Sequence, residues 1–126
     1  PNGMPGVEHR MDLLHAGVVA GELTLPRWVE VASTTPARMF GLYPRKGVIA
    51  AGSDADIVIY DPQARQTLSA ATHHMNVDYS AYEGMEITGR VVTTLARGRV
   101  VIDDGAFHGR PGDGTFLPRG LNQYLV

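Results

Sequence analysis

The chain of 126 residues has no cysteine, so it contains no disulfide framework. Its cysteine content therefore does not distinguish a reducing from an oxidising compartment. It also has little net charge: 11 basic against 13 acidic residues give a formal net charge of -2. This balance lacks the electrostatic footprint of a protein that binds nucleic acid or an anionic membrane surface. No apolar run approaches the roughly 20 residues that span a bilayer, and no signal peptide opens the chain, which makes the cytoplasm the default location.

Helical periodicity comes first along the chain. From Val7 to Ala20 four apolar residues recur at helical spacing and share one arc, which predicts an amphipathic helix ended by Gly21. The four are Val7, Met11, Leu14 and Val18. A second helix is predicted from a cap at Thr24 to about Ala32, and a short third one from Ala37 to Phe40, ended by Gly41.

The pattern changes at Gly47 to short apolar runs separated by turn residues. The central run, Ile57-Val58-Ile59-Tyr60, predicts a strand buried on both faces or nearly so, ended by Pro62. Further strands are predicted at 48–49, 66–69, 87–95 and 99–102, with turns at Gly98 and at 103–105. Helices followed by strands indicate an α+β fold, with an extended tail from Gly109.

The search for chemistry along the chain finds one candidate metal-ligand pattern. His9, Asp12 and His15 lie on one side of the first predicted helix, where an i, i+3 step could bridge a transition metal. The alternative is that these residues form the solvated polar face of an amphipathic helix, and this is the favoured interpretation. There is no His-x-His pair and no His-Glu-x-x-His motif.

The other candidates favour structural roles. His73 and His74 are adjacent and should point to different sides, as surface or turn residues. Asp54 and Asp56 flank a strand and should shape its turn by Asx-type hydrogen bonds rather than act as paired carboxylates. The stretch 33–35 (Ser-Thr-Thr) is interpreted as the junction between two helices, and the glycine spacing matches no phosphate-binding loop. The scattered arginines are interpreted as solvated charges or subunit contacts.

Four stretches together resemble the closing segment of the cyclic-amide hydrolases in the amidohydrolase superfamily, from Pro1 to about Arg119. Residues 33–42 read STTPARMFGL and residues 46–61 read KGVIAAGSDADIVIYD. Residues 74–79 (HMNVDY) and 82–86 (YEGME) are similar to the dihydropyrimidinase and D-hydantoinase branch. Together with a start on Pro1 rather than Met, the resemblance implies the C-terminal piece of a longer protein.

The resemblance implies an architecture for each part of the chain. Residues 1–45 would be the last helices of a TIM-like barrel, residues 46–108 half of a small β-sandwich, and residues 109–126 an extended tail at a subunit contact. The piece alone should then leave an edge strand and an apolar face uncovered.

The resemblance also implies chemistry. The similar enzymes open a dihydropyrimidine or hydantoin ring to an N-carbamoyl amino acid with two zinc ions, whose ligands precede Pro1, so this chain would carry no catalytic residue and no metal ligand. Asn2 matches an asparagine that hydrogen-bonds the cyclic-amide substrate through its main chain. The whole enzyme would be a homotetramer, without nucleic-acid or membrane partners.

Alternatives of other classes stay open. The collapsin response mediator proteins share this fold and act as non-catalytic interaction proteins, and a free-standing oligomerisation module would also fit the strands. Allantoinase and dihydroorotase are nearer alternatives among the enzymes, placed lower because of the segments 76–79 and 82–85.

Overall fold

A computed structural model describes residues 3–124 of the chain. The helical elements come first: α1 Arg10–Val19, α2 Leu25–Val29, a π-helical turn Glu30–Thr34 and α3 Thr35–Met39. Four strands follow: β1 Ile57–Thr67, β2 Glu86–Ala96, β3 Arg99–Asp103 and β4 Ala106–Phe107. They form one sheet in the order β1-β2-β3-β4. The α+β class predicted from the sequence is therefore confirmed.

The chain divides into two compact units, each made of two stretches of sequence. The first unit combines the residues up to Thr24 with Tyr60–Val91, and its buried apolar residues are Leu68 and Ile87. The second unit combines Leu25–Ile59 with the residues from Val92 on. Its buried residues are Trp28, Ala32 and Ala37, all on the helical stretch.

Helix α1 ends as the sequence predicts. Gly21 has φ +78°, a left-handed conformation that glycine adopts without steric cost, and its N–H donates to the carbonyl of Val18 at 3.0 Å. The face that α1 buries is not the predicted one. Asp12 and His15 are its buried residues, whereas Val7, just before the helix, is 87% exposed.

The second and third predicted helices form one continuous helical stretch. The π-helical turn joins α2 directly to α3, so the stretch 33–35 is not a junction between two separate helices. A π turn holds more residues than an α turn, and the spacing of the buried residues shows it: Trp28, Ala32 and Ala37 are separated by steps of four and then five. Gly41 follows with φ +66°, as predicted.

The central stretch 46–62 departs from its prediction at both ends. No strand forms at 48–49; the two-residue apolar run is part of a loop, and Ile49 is 84% exposed. Strand β1 begins at Ile57 as predicted but continues through Pro62 to Thr67. A proline is tolerated there because β1 is an edge strand, and Asp61 Oδ1 accepts the N–H groups of Gln63 and Ala64.

The exposure of β1 corrects another prediction. Val58 and Ile59 are 42% and 52% exposed rather than buried, because a strand is buried on both faces only when both faces of its sheet are covered. Val100 and Phe107 on later strands are also exposed. The expected edge strand is therefore present as β1, and apolar side chains on it and on later strands are exposed.

Strands β2 and β3 confirm their predictions. They pair antiparallel through the two-residue turn Arg97-Gly98, in which both residues have positive φ, as type I′ hairpins require. A bulge between Thr94 and Leu95 shifts the register. Asp104-Gly105 makes a second such turn into β4, an element that the sequence does not predict.

The tail, residues 109–124 of the described chain, forms neither helix nor strand, in agreement with its prediction. It is held within the second unit by several hydrogen bonds, including those of Gln123 to the carbonyls of Arg38 and Tyr43. Gly120 N–H donates to the carbonyl of Gly41 at 2.8 Å. Asp113 accepts one hydrogen bond from each terminal nitrogen of the Arg99 guanidinium, at 2.9 and 3.3 Å, and one from the backbone N–H of Arg110.

Candidate functional site

The buried face of α1 is polar. His9, Asp12 and His15 are 6%, 7% and 3% exposed, so the prediction that they form a solvated face is wrong. Periodicity assigns the inward face by polarity alone, and here the strands opposite α1 offer polar groups as well. These groups hydrogen-bond Asp12 and His15, whereas His9 packs against the rings of His73 and Tyr82.

Asp12 is the centre of this cluster. Gln66 on β1 donates from Nε2 to Asp12 Oδ2 at 3.1 Å and to the carbonyl of Gly89 at 2.7 Å, which ties α1 to both strands of the first unit. Burial raises the pKa of Asp12 above its ordinary value of 3.8. Hydrogen bonds from Tyr60 and Gln66, and the nearby His9 and His15, act in the opposite direction.

The His15 ring makes one hydrogen bond and one contact with another aromatic ring. Its Nδ1–H donates to the carbonyl of Thr88 at 2.9 Å, and its ring lies 4.9 Å from that of Tyr60, centroid to centroid. Burial, followed by the charge of Asp12 and the hydrogen bond to it, raises the pKa of the Tyr60 hydroxyl. The phenol therefore stays protonated at neutral pH and donates.

Gly89 makes this packing possible. It has φ +100°, and a Cβ at this position would lie 2.5 Å from both His15 Nδ1 and the Tyr60 hydroxyl oxygen. No side chain fits this space, so glycine is required for both backbone conformation and close approach.

His9 packs against two aromatic rings of the first unit. Its ring centroid lies 6.1 Å from that of His73 and 6.3 Å from that of Tyr82. The N–H of Met75 donates to His73 Nδ1 at 3.1 Å. The two adjacent histidines diverge, as predicted: His73 is half-buried and His74 is exposed.

The cluster does not fit the zinc that the resemblance implies. Within residues 3–124 no group of three or more His, Asp and Glu side chains is arranged to hold a metal ion. His73 Nδ1 accepts an N–H, so a neutral ring carries its proton on Nε2 and cannot bind a metal through that atom. Asp12 and His15 are engaged by Gln66 and by the carbonyl of Thr88.

The segment just before α1 is fastened to the stretch 73–82. Glu8 accepts the backbone N–H of His74 at 2.6 Å and the ring Nδ1–H of the same residue at 2.8 Å. The Tyr79 hydroxyl makes a long hydrogen bond of 3.5 Å to the carbonyl of Gly3. Asn2, the predicted substrate contact, lies outside the described residues.

Asp54 and Asp56 have the structural role that the sequence predicts, with different partners. Instead of closing Asx turns, they surround Lys46: its Nζ lies 2.9 Å from Asp54 Oδ2 and also contacts Asp56. Arg45 lies 3.0 Å from Asp54, and Asp56 accepts the backbone N–H of Arg97. Hydrogen bonds, first from Lys46 and then from Arg45, lower the pKa of Asp54.

The stretch 33–35 is also structural, since the Thr34 hydroxyl donates to the carbonyl of Gly47 at 2.8 Å. Two of the scattered arginines bind Asp113. Arg99 binds the Asp113 carboxylate, and Arg97 donates to the Asp113 backbone carbonyl. The sequence could not reveal these partners because they are far apart along the chain.

A groove of about 600 Å³ lies in the first unit beside the polar cluster. Gln66 and Thr88 belong to its wall, with Arg65 and Glu86 as its charged residues. Its volume is within the range of small-molecule sites. None of the predicted site residues in the described part of the chain lines it.

The sequence profile of the amidohydrolase family matches residues 4–101. The chain belongs to this family. It is 64% identical over its whole length to the D-hydantoinase of Streptomyces coelicolor and 47% identical over 94% of its length to that of Ralstonia pickettii. A solved D-hydantoinase (dihydropyrimidinase) from Thermus sp. superposes on 98% of the chain with a TM-score of 0.92 at 50% identity.

The chain spans about a quarter of the length of these relatives: 27%, 26% and 27%, respectively. No helix in residues 3–124 is long and apolar enough to cross a membrane.

Proposed function

We propose that this chain is the C-terminal part of a hydrolase that opens cyclic amides, converting a hydantoin or dihydropyrimidine ring to an N-carbamoyl amino acid. The observation that carries the proposal is 64% identity over all 126 residues to a protein named D-hydantoinase. Identity at this level along the full chain supports a shared activity of the whole enzyme.

In this proposal the described residues serve as a scaffold. The α1–Gln66–Gly89 cluster ties the helix to the strands by part-buried hydrogen bonds. Two zinc ions would be bound by residues of the enzyme outside this chain, and we derive no step through them. The chain itself would contact substrate only at Asn2, where main-chain groups would hydrogen-bond the ring amide.

The proposed architecture follows the same reasoning. Residues 1–45 would close a TIM-like barrel, residues 46–108 would complete a β-sandwich, and residues 109–126 would reach a subunit contact in a cytoplasmic homotetramer. The exposed Val58, Ile59 and Phe107 support this arrangement, because further chain in the whole enzyme would cover them.

The test compares the full-length enzyme that carries this segment with the 126-residue chain alone, both supplied with zinc. The full-length enzyme is expected to release N-carbamoyl amino acid from hydantoin or dihydrouracil, whereas the isolated chain should release none. Absence of ring opening by the full-length protein would favour the non-catalytic interaction protein instead. Ring opening by the isolated chain would place the catalytic groups within these residues and contradict the proposal.

A further inference from the structure

The sequence contains two steps in which glycine directly follows aspartate, Asp104-Gly105 and Asp113-Gly114. Such a step is prone to rearrange, because glycine has no side chain to keep its backbone nitrogen away from the preceding carboxyl group. The first step forms the turn between β3 and β4, and the second lies in the tail. The two steps therefore differ in what surrounds the aspartate.

The carboxylate of Asp113 is bound by Arg99 and by Arg110. Its two oxygens accept from the two terminal nitrogens of Arg99 at 2.9 and 3.3 Å, the bidentate arrangement that suits a guanidinium. Oδ2 also accepts the backbone N–H of Arg110 at 2.9 Å, and the Asp113 N–H donates back to the carbonyl of Arg110 at 3.2 Å. These bonds fasten the carboxylate to β3 and to the residue three positions before it.

The main chain of the same step is held on one side only. Arg97 donates from its guanidinium to the backbone carbonyl of Asp113, so both the carboxylate and the carbonyl are bound by arginines that flank the β2–β3 turn. Gly114 borders open space, since a Cβ built on it would meet no atom of the described residues within 4 Å. Packing around Gly114 therefore does not restrict its nitrogen, and the contacts of Asp113 restrict the carboxyl group.

We propose that Asp113-Gly114 is a site of isoaspartate formation that Arg99 protects in the folded protein. In this rearrangement the Gly114 nitrogen attacks Cγ of the protonated carboxyl group. An N–Cγ bond forms, the Cγ–OH bond breaks, and the hydroxyl leaves with the amide proton as one water. The succinimide ring then takes up one water at the main-chain carbonyl carbon, where the ring C–N bond breaks. The product is isoaspartate of unchanged mass, and no oxidant or further reagent is consumed.

Arg99 opposes the first step in two ways. The ring closes only after the carboxyl group turns towards the Gly114 nitrogen, and this rotation breaks both bonds to Arg99. The departing oxygen must also carry a proton, whereas the hydrogen bond from the Arg110 N–H, followed by that from Arg99, lowers the pKa of Asp113. Isomerisation would insert one carbon into the main chain and move the free carboxylate, which would release the tail from β3.

The experiment ages the full-length enzyme at neutral pH for several weeks, as wild type, Arg99→Ala and Arg119→Ala. Isoaspartate at positions 104 and 113 is measured by isoaspartyl methyltransferase labelling and peptide mass spectrometry. Arg99→Ala is expected to raise isoaspartate at position 113 about five- to tenfold, because two hydrogen bonds to a charged group are lost. Position 104 should stay at the wild-type level. Arg119→Ala, the matched control in the same tail, should resemble the wild type at both positions.

A synthetic peptide of residues 108–118 supplies the rate without protection. The wild-type enzyme should isomerise at Asp113 about tenfold more slowly than this peptide or slower still. An unchanged level at position 113 in Arg99→Ala, or a wild type that isomerises as fast as the peptide, overturns the inference. An equal rise at positions 104 and 113 in Arg99→Ala also overturns it, because general loosening of the fold would then account for the reaction.

Discussion

Two aspartates of this chain show how burial decides the sign of a pKa shift. Asp12 is buried, and the loss of solvation raises its pKa in spite of two hydrogen bonds. Asp113 keeps more contact with solvent, its side chain being 29% exposed, and the hydrogen bond from the Arg110 N–H, followed by that from Arg99, lowers its pKa. The two carboxylates therefore contribute to stability in opposite ranges of pH.

The replacement Asp12→Asn should remove the loss of folding stability that accompanies ionisation of Asp12 as pH rises. Because the folded-state pKa of Asp12 lies above 3.8, its contribution to stability is complete below that pH and is lost as pH rises through the folded pKa. The amide oxygen of asparagine can still accept from Gln66. The Tm of the variant minus that of the wild type, followed by calorimetry, should rise by a few degrees between pH 4 and pH 7.

Asp113→Asn is the control, because its effect on stability should change with pH in the opposite direction. Its folded-state pKa is lowered, so its contribution is present above pH 3.8 and is lost as pH falls. The variant should be less stable than the wild type at pH 7, and the difference should disappear in acid. If the two variants shift Tm in the same direction across this range, burial is not what sets the pKa of Asp12.

At the scale of elements, the close packing of the loop on the helical stretch requires two small residues, Gly47 and Ala37. A Cβ built on Gly47 would lie 2.5 Å from the Cβ of Ala37, and Gly47 has φ +83°. The loop thus passes directly over α3, and the Thr34 hydroxyl bonds the carbonyl of the same glycine. The π-helical turn places Ala37 at this point, five positions after Ala32.

Ala37→Leu should therefore be destabilising. The added carbons have no space beneath Gly47, and overpacking of this kind costs about 1–3 kcal/mol. Denaturant unfolding of the full-length enzyme measures the loss. Met39→Leu, at a position 46% exposed, should be within about 0.5 kcal/mol of the wild type. Equal effects of the two replacements would show that α3 and the loop are not closely packed.

At the scale of the whole molecule, large apolar side chains are exposed on both the strands and the tail. Val58, Ile59, Val100 and Phe107 are between 42% and 65% exposed on the strands, and Phe116 and Leu121 on the tail are about 90% exposed. The 126-residue chain alone should bind a hydrophobic dye strongly and self-associate in light scattering. The full-length enzyme should do neither beyond its defined oligomer. A dye-free, monodisperse isolated chain would favour the free-standing oligomerisation module.

The sequence predicted the elements whose signals are local. Glycines with positive φ mark the end of α1, the end of α3 and both hairpin turns, because no other residue adopts that conformation so readily. The order of helices and strands, and the length of β2, also follow from local patterns. The π-helical turn and the continuation of β1 through Pro62 did not, since each depends on neighbours distant in sequence.

The amino-acid sequence by itself determined the family, the α+β order and the turns of this protein, because motifs and backbone preferences are properties of short stretches. Only the tertiary structure decided which face of α1 is buried. Asp12 and His15 face inward because Gln66, Thr88 and Gly89, more than fifty positions away, supply their partners or their space, and His9 does so beside the rings of His73 and Tyr82. Polarity predicts exposure only where the surrounding residues offer no hydrogen bonds, and here they do.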